Sequence, residues 1–236
     1  MTGGYCDDRP VAVVTGANRG VGQAIATILA DSGYTVVAMS RQPCPDSRVR
    51  HVECHLDDHD SVEKACSALL EEFDRIDAVV ANSAVRSLGQ VADLPPQDWR
   101  EAVEVNLCST FTLIQRTLPL LRCCAGRIAV IGSHAATYFF EGGAAYCTTK
   151  AALKALVEVL LLEERPRGVR TTLLNPGGIA NLPEDNSTTK LTTQSVAEAV
   201  LWVLQSPPDL VVGELEIRPS RLPNMPVTGF DRLKAV

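Results

Sequence analysis

From Val11 to Thr15 the chain is a short apolar run that empties into a turn holding Gly16, Gly20 and Gly22, and then into an amphipathic segment. A buried strand feeding a glycine turn and a helix leaves few folds open. The helix must pack back on the sheet and return the chain to a parallel neighbour through a right-handed crossover. The same alternation repeats to the end. Thr35 to Met39, Ile76 to Ala81, Arg127 to Gly132 and Val169 to Asn175 read as buried parallel strands, with Arg50 to Cys54 and Gly213 to Ile217 as weaker ones. Helical periodicity spans Gly20 to Ser32, Ser61 to Phe73, Asp98 to Leu118, Tyr146 to Arg165 and Ser195 to Gln205. The expected fold class is α/β, a single-domain doubly wound parallel sheet of about seven strands with helices on both faces. At 236 residues the chain suffices for one such domain, residues 1–236, and is short for two. No repeat or linker divides it. The stretch 218–236, with Pro219, Pro223 and Pro226, is expected to be extended rather than helical.

A net charge of −6 argues against nucleic acid or an anionic membrane as a partner. The apolar run Ala151 to Leu162 is interrupted by Lys154 and Glu158 and is too short to span a bilayer. Met1 to Pro10 is polar and unlike a secretory signal, so a cytoplasmic protein is expected. The eight cysteines are scattered, with no Cys-x-x-Cys, which fits reduced thiols. His51, Cys54, His55 and His59 lie close together but straddle a strand end and a helix start without a second cluster. No metal site is expected.

The glycine turn suits phosphate. Open N–H groups and the positive dipole end at the start of the helix attract anions. Gly16 permits the turn, while Gly20 and Gly22 let backbone approach phosphate and helix approach strand. The spacing is Gly-x-x-x-Gly-x-Gly, and an ordinary glycine-bearing loop is the bland alternative. About twenty residues on, an acidic residue would bind the ribose 2′-hydroxyl of NAD. Here the strand ends Ala38-Met39-Ser40-Arg41. Arg41 can fork onto a 2′-phosphate, Ser40 can donate to it, and Arg19 adds a second cation, so the charge logic points to NADP(H). The alternative is that both arginines are solvated surface charges.

Tyr146 and Lys150 fall one turn apart on one helix face, with Ser133 at the end of a strand thirteen residues upstream. Tyr-x-x-x-Lys arises by chance about one time in ten in such a composition, so order and spacing must carry the argument. A tyrosine near pKa 10 is a poor acid–base at neutral pH. A nearby ammonium and a cationic nicotinamide would lower that pKa, and Ser133 could hydrogen-bond a substrate oxygen. Asn106, in the apolar stretch Val105-Asn106-Leu107, is either part of this constellation or a packing amide bonded to backbone.

The order of glycine loop, helix Asn, strand-end Ser, Tyr-x-x-x-Lys and Asn175-Pro176-Gly177 resembles the short-chain dehydrogenase/reductase family over nearly the whole chain. The resemblance implies a catalytic tetrad of Asn106, Ser133, Tyr146 and Lys150. Tyr146 would be the general acid in reduction. Lys150 would bind the nicotinamide ribose and tune Tyr146. Ser133 would orient the carbonyl, and Asn106 would hold a water in a proton relay to Lys150. It also implies cofactor contacts from Asn18 and Val21 in the loop, Leu56 beside the adenine, and Asn82, Ser83 and Ala84 after the fourth strand. Pro176, Gly177 and Ile179 would complete the set. Three positions depart from the family: Ala81-Asn82-Ser83-Ala84 replaces Asn-Asn-Ala-Gly, His55 replaces an Asp, and Asn181 stands where a Thr is common.

The substrate pocket is expected among the residues after Ser133, the stretch Val85 to Leu94 and the loop after Gly177, with His134, Tyr138, Phe139 and Phe140 as lining candidates. The loop Asn181 to Thr193 is short and polar. A reductase of small aldehydes, ketones or hydroxy acids and a 3-oxoacyl-thioester reductase both resemble this chain, and the short loop favours the first. A nicotinamide-binding sensor or scaffold without turnover is the reading from another class. A nucleotide-sugar epimerase or dehydratase is disfavoured by length. Two helices carry wide apolar arcs, Val103, Leu107, Phe111 and Ile114 on one and Leu153, Leu156, Val157, Leu160 and Leu161 on the other. They suggest a homodimer or homotetramer.

Overall fold

The structure, a computed structural model, describes residues 8–182 and 184–221. Seven parallel strands form one sheet in the order β3-β2-β1-β4-β5-β6-β9. These are β1 (Val11–Thr15), β2 (Thr35–Ser40), β3 (Arg50–Glu53), β4 (Ala78–Ala81), β5 (Arg127–Ile131), β6 (Arg170–Pro176) and β9 (Glu214–Ile217). A two-stranded ladder, β7 (Ile179–Ala180) with β8 (Leu191–Thr192), lies apart from the sheet. The expected α/β doubly wound sheet is what forms.

Strand alternation sorts the core onto two faces. Val11 and Val13 of β1 point to one side, with α2 (His59–Glu72), α4 (Ser109–Cys123) and α5 (Ala144–Glu164) packed there through Val62, Leu69, Leu113, Leu121, Leu153 and Val157. Ala12 and Val14 point to the other, against α1 (Gly20–Asp31) and α6 (Thr193–Leu204) through Ile25, Leu29, Val196 and Val200. Every residue of β1, β2 and β4 is buried, as strands covered on both faces require. Sheet order reverses between β1 and β4, and the crevice outside their carboxyl ends is where such sheets take ligands.

Helix ends follow local chemistry. Asp58 accepts from the N–H groups of Asp60 (3.0 Å) and Ser61 (3.4 Å), which starts α2 two residues before the expected Ser61. Thr192 caps α6 by accepting from Ser195 N at 3.0 Å.

The long helix expected over Asp98 to Leu118 differs most. It begins as α3 (Pro96–Val103), passes through a π-helical turn at Glu104–Cys108, and continues as α4 to Cys123. Pro119 does not stop it, because the carbonyl it leaves without a donor belongs to exposed Gln115. The wider turn is helped by hydroxyls: Ser109 Oγ donates to Val105 O (2.7 Å) and Thr110 Oγ1 to Asn106 O (3.3 Å). No helix among the described residues is long and apolar enough to cross a membrane. Residues 218–221 are neither helix nor strand, and the rest of the expected extended tail lies outside the described residues.

Candidate active site

A cavity of about 960 Å³ opens at the β1/β4 switch point. One end holds Gly16, Asn18, Arg19, Val21 and Gly22 of the glycine loop, and Ser40 and Arg41 at the end of β2. His55 and Leu56 follow β3, and Asn82, Ser83 and Ala84 follow β4. The other end holds Ser133, Tyr146 and Lys150, with Pro176, Gly177 and Ile179 after β6. Most of the expected residues therefore share one wall. Gly20 and Asn106 do not line it.

The loop is built for close approach. Gly16 and Gly20 have φ of +66° and +57°, in the left-handed region. A Cβ on Gly22 would fall 2.2 Å from Gly16 O, so no side chain fits between loop and helix. Asn82 Nδ2 donates to Thr15 O (3.0 Å), while the N–H groups of Asn82 and Ser83 donate to Thr15 Oγ1 (2.9 and 3.1 Å). The substituted Ala81-Asn82-Ser83-Ala84 segment thus still ties β4 to β1.

At the other end, β5 delivers Ser133 and α5 delivers Tyr146 and Lys150. Ser133 lies beside the Tyr146 hydroxyl, and its own hydroxyl accepts from Ala135 N at 3.1 Å. Burial raises the Tyr146 pKa; the neighbouring Ser133 hydroxyl and then the Arg86 guanidinium pull it down. Lys150 is 2% exposed, and its Nζ donates to Ile131 O at 2.7 Å while lying 5.9 Å from the Tyr146 ring centre. Desolvation pushes its pKa down to about 8.

Asn106 is held by protein partners, as in the packing alternative. Its Nδ2 donates to Val85 O (3.0 Å) and Thr149 Oγ1 (3.0 Å), and its Oδ1 accepts from Val85 N (2.8 Å). Both amide donors are thus occupied by protein, and the side chain clamps the Val85 backbone rather than facing the cavity. Ser40 is likewise committed: its hydroxyl donates to Gln42 O at 2.7 Å, which leaves Arg41 and Arg19 as the cations at that end. Of the aromatic candidates, Tyr138 and Phe140 line the cavity and Phe139 faces solvent. His134 is buried with its Nε2 3.6 Å from Glu216, away from the cavity, and burial lowers its pKa.

Two further residues belong to the site. Asn175 Oδ1 accepts from Ser133 N at 3.0 Å, and its Nδ2 donates to Glu214 at 2.7 Å. A Cβ on Gly132 would lie 2.0 Å from that oxygen, so Gly132 makes the clamp on Ser133 possible. A buried amide at a strand end was the readable signal. Arg86 lines the cavity beside Tyr146. It falls in the stretch Val85 to Leu94 expected to line the pocket, but no pattern singles it out from an ordinary loop cation. Among the described residues no three His, Cys, Asp or Glu side chains are grouped to hold a metal. The described cysteines are free, and burial pushes Cys54 and Cys66 up to about 11 and about 12.

Over residues 10–190 the sequence matches the short chain dehydrogenase family. The chain belongs to that family and is an oxidoreductase. An uncharacterized oxidoreductase of Staphylococcus epidermidis is 32% identical over 227 residues, covering 89% of this chain and 96% of the relative. An alcohol dehydrogenase from the archaeon Thermococcus sibiricus, solved with 5-hydroxy-NADP, superposes with a TM-score of 0.83 at 29% identity, covering 92% of this chain and 100% of that one. A 3-ketoacyl-ACP reductase from Sinorhizobium meliloti 1021 superposes with a TM-score of 0.80 at 28% identity, covering 88% and 97%.

Proposed function

We propose that this oxidoreductase reduces an aldehyde or ketone to an alcohol with NADPH, or runs the reverse reaction, and that Tyr146 exchanges the proton. The observation that carries the reading is the single cavity joining an anion-seeking helix start to Ser133 and Tyr146, with Lys150 beneath the ring. The residues fit a nicotinamide dinucleotide. The loop glycines leave no side chain over the first N–H groups of α1, and an oxygen acceptor already sits on one of them, Val21 N. Bound there, the dinucleotide would supply or take up a hydride.

Everything else falls to the protein. Burial keeps the Tyr146 phenol protonated, the form that donates to an oxygen gaining negative charge. Ser133, held through its own N–H by Asn175, presents a second donor to that oxygen. Lys150 spends one donor on Ile131 O and keeps its others for ribose hydroxyls. Asn106 acts by position: it fixes Val85, hence the start of the wall that carries Arg86, and Thr149, between the two catalytic side chains. An NADPH-oxidation screen over aldehydes, diketones and oxoacyl thioesters tests the reading. Oxidation by none of them, with no dinucleotide bound, would sink it. Turnover of the thioesters alone would favour the 3-oxoacyl reductase alternative.

The NADP preference rests on Arg41 and Arg19, both exposed on the cavity wall. Each would make a charge-assisted contact to a 2′-phosphate. Arg41→Asp is expected to weaken NADPH about tenfold or more while sparing NADH, because it replaces an attraction with a repulsion. Titrating both cofactors against both proteins decides it. Tighter NADH than NADPH binding in the wild type contradicts the preference.

We also propose pairing of two copies through α4 and α5. Much of the expected apolar arc is core: Ile114, Leu153, Val157, Leu160 and Leu161 are all buried. What faces outward is Phe111 (48% exposed), Val159 and Leu162 (61%), with a recess between the helices lined by Leu107, Phe111 and Leu156. An outward apolar strip of this kind on two adjacent helices fits a two-fold contact. Sedimentation equilibrium should show a dimer or tetramer, the tetramer favoured, and a 25.4 kDa monomer at micromolar concentration would reject the proposal.

A further inference from the structure

The first turn of α1 has no cap of its own. Arg19 occupies the N-cap position in extended conformation, φ −161° and ψ 169°, with no side-chain bond to the helix. The helix therefore opens on N–H groups that lack a local acceptor. One is satisfied from across the molecule: Asn181 Oδ1 accepts from Val21 N at 3.1 Å, 160 positions away in sequence. Asn181 directly follows β7 and lines the same cavity as the glycine loop. Gly20 is what lets it in, since a Cβ there would sit 2.2 Å from Asn181 Oδ1. A neutral amide oxygen thus stands where the helix end most favours an anion.

We infer that Asn181 is a displaceable N-cap: it closes α1 while the phosphate seat is empty and yields the Val21 N–H to a pyrophosphate oxygen when the dinucleotide binds. The inference rests on the proposed function, which places a nicotinamide dinucleotide at this loop. Three features support the exchange. The cap is held by a single bond to the helix, to an N–H that the glycine loop leaves facing the cavity. Asn181 is exposed, so its amide re-solvates at little cost on leaving. It carries no charge, so it does not repel the incoming anion as an Asp would. Affinity for the dinucleotide is then a difference between two acceptors competing for one N–H, and changing the resident acceptor changes it.

The test measures dissociation constants for NADPH and NADH by calorimetry, and melting temperature without ligand, on the wild type, Asn181→Ala and Asn181→Asp. Removing the cap should tighten the dinucleotide about two- to fivefold and lower the ligand-free Tm by about 2 °C, since an N-cap is a modest contact. The Asp variant keeps the acceptor and adds a charge. It should weaken binding about tenfold or more and leave the ligand-free Tm at or above that of the wild type. Affinity therefore rises in the order Asp, Asn, Ala while thermal stability runs the other way. Weaker binding by the Ala variant would make Asn181 a direct ligand and overturn the exchange, as would equal affinities in all three proteins. If none of the three binds either dinucleotide, the cofactor reading itself falls and the inference with it. A poorly folding Ala variant leaves the near-isosteric Asp variant, for which wild-type affinity is likewise fatal.

Discussion

Tyr146→Phe is expected to bind the dinucleotide as the wild type does and to lose turnover by a factor on the order of 10² to 10⁴, the usual worth of a positioned proton donor. The substitution removes one oxygen and little else. The ring stays between Ser133 and Lys150, and the Lys150 bond to Ile131 O is untouched. Dinucleotide binding should survive, because the loop glycines, Arg19 and Arg41 lie at the other end of the cavity. Neither neighbour of the ring is suited to take over the proton. Lys150 is buried behind the ring and Ser133 is far too weak an acid. Steady-state kinetics with any good carbonyl substrate, alongside a cofactor titration, checks the result. A Phe variant with near-normal kcat would remove Tyr146 from the mechanism.

The second large effect is on stability. Glu164, at the end of α5, is almost fully buried and accepts a two-pronged contact from Arg122 of α4, Nε to Oε2 at 2.8 Å and Nη2 to Oε1 at 2.6 Å. These bonds hold its pKa below the ordinary value of 4.5. Arg122→Leu leaves a buried carboxylate facing only Arg167, 3.5 Å away. Stripping one partner from such a pair typically costs 3–5 kcal/mol, and with Arg122 38% exposed and Arg167 remaining, about 2–3 kcal/mol is expected. The pH dependence follows from the depressed pKa. The pair stabilises the fold above the unfolded-state pKa, and that contribution is lost as pH falls through the folded one. Denaturant unfolding should show the variant well below the wild type at pH 7, with the gap closing below about pH 4.5 as Glu164 takes up its proton. A gap unchanged into acid would mean that lost packing, not the ion pair, sets the cost.

The sheet was largely legible because its central strands are buried on both faces and so spell continuous apolar runs. Val11–Thr15 was bounded to the residue, and the others within two. The glycine loop and the Tyr146/Lys150 pair were legible for another reason: each is a local pattern whose spacing already encodes its geometry. What escaped is non-local. A period of 3.6 residues describes α3 and α4 equally well with or without the wider turn at Glu104–Cys108, so the π geometry could not be read. Which way the apolar arcs of α4 and α5 point depends on the neighbours each helix meets. Most of the residues of those arcs proved to be core, and Val159 and Leu162 outer. Asn175 and Asn106 clamp Ser133 and Val85 across 42 and 21 positions, and Ser40 turns to a carbonyl two residues on. Side-chain amides and hydroxyls choose partners in space, and composition carries no trace of the choice.

The turn at Glu104–Cys108 makes one rod behave as two with separate phases. A regular α-helix fixes the azimuth of every residue from that of any one, so a face set by one end dictates the other. Here the N–H of Ser109 reaches back five residues to Glu104 O, and the count slips. Up to the start of the slip the helix is aligned to the cavity, where Glu101, and Val105 just inside the turn, form part of the wall. Downstream it is aligned to the sheet, where Leu113 and Leu121 are fully enclosed and Phe111 looks outward. Asn106 sits within the slip and grips both Val85 and α5. The reaction chamber and the structural core can thus be indexed independently on one continuous segment, with a single residue of phase as the adjustment between them.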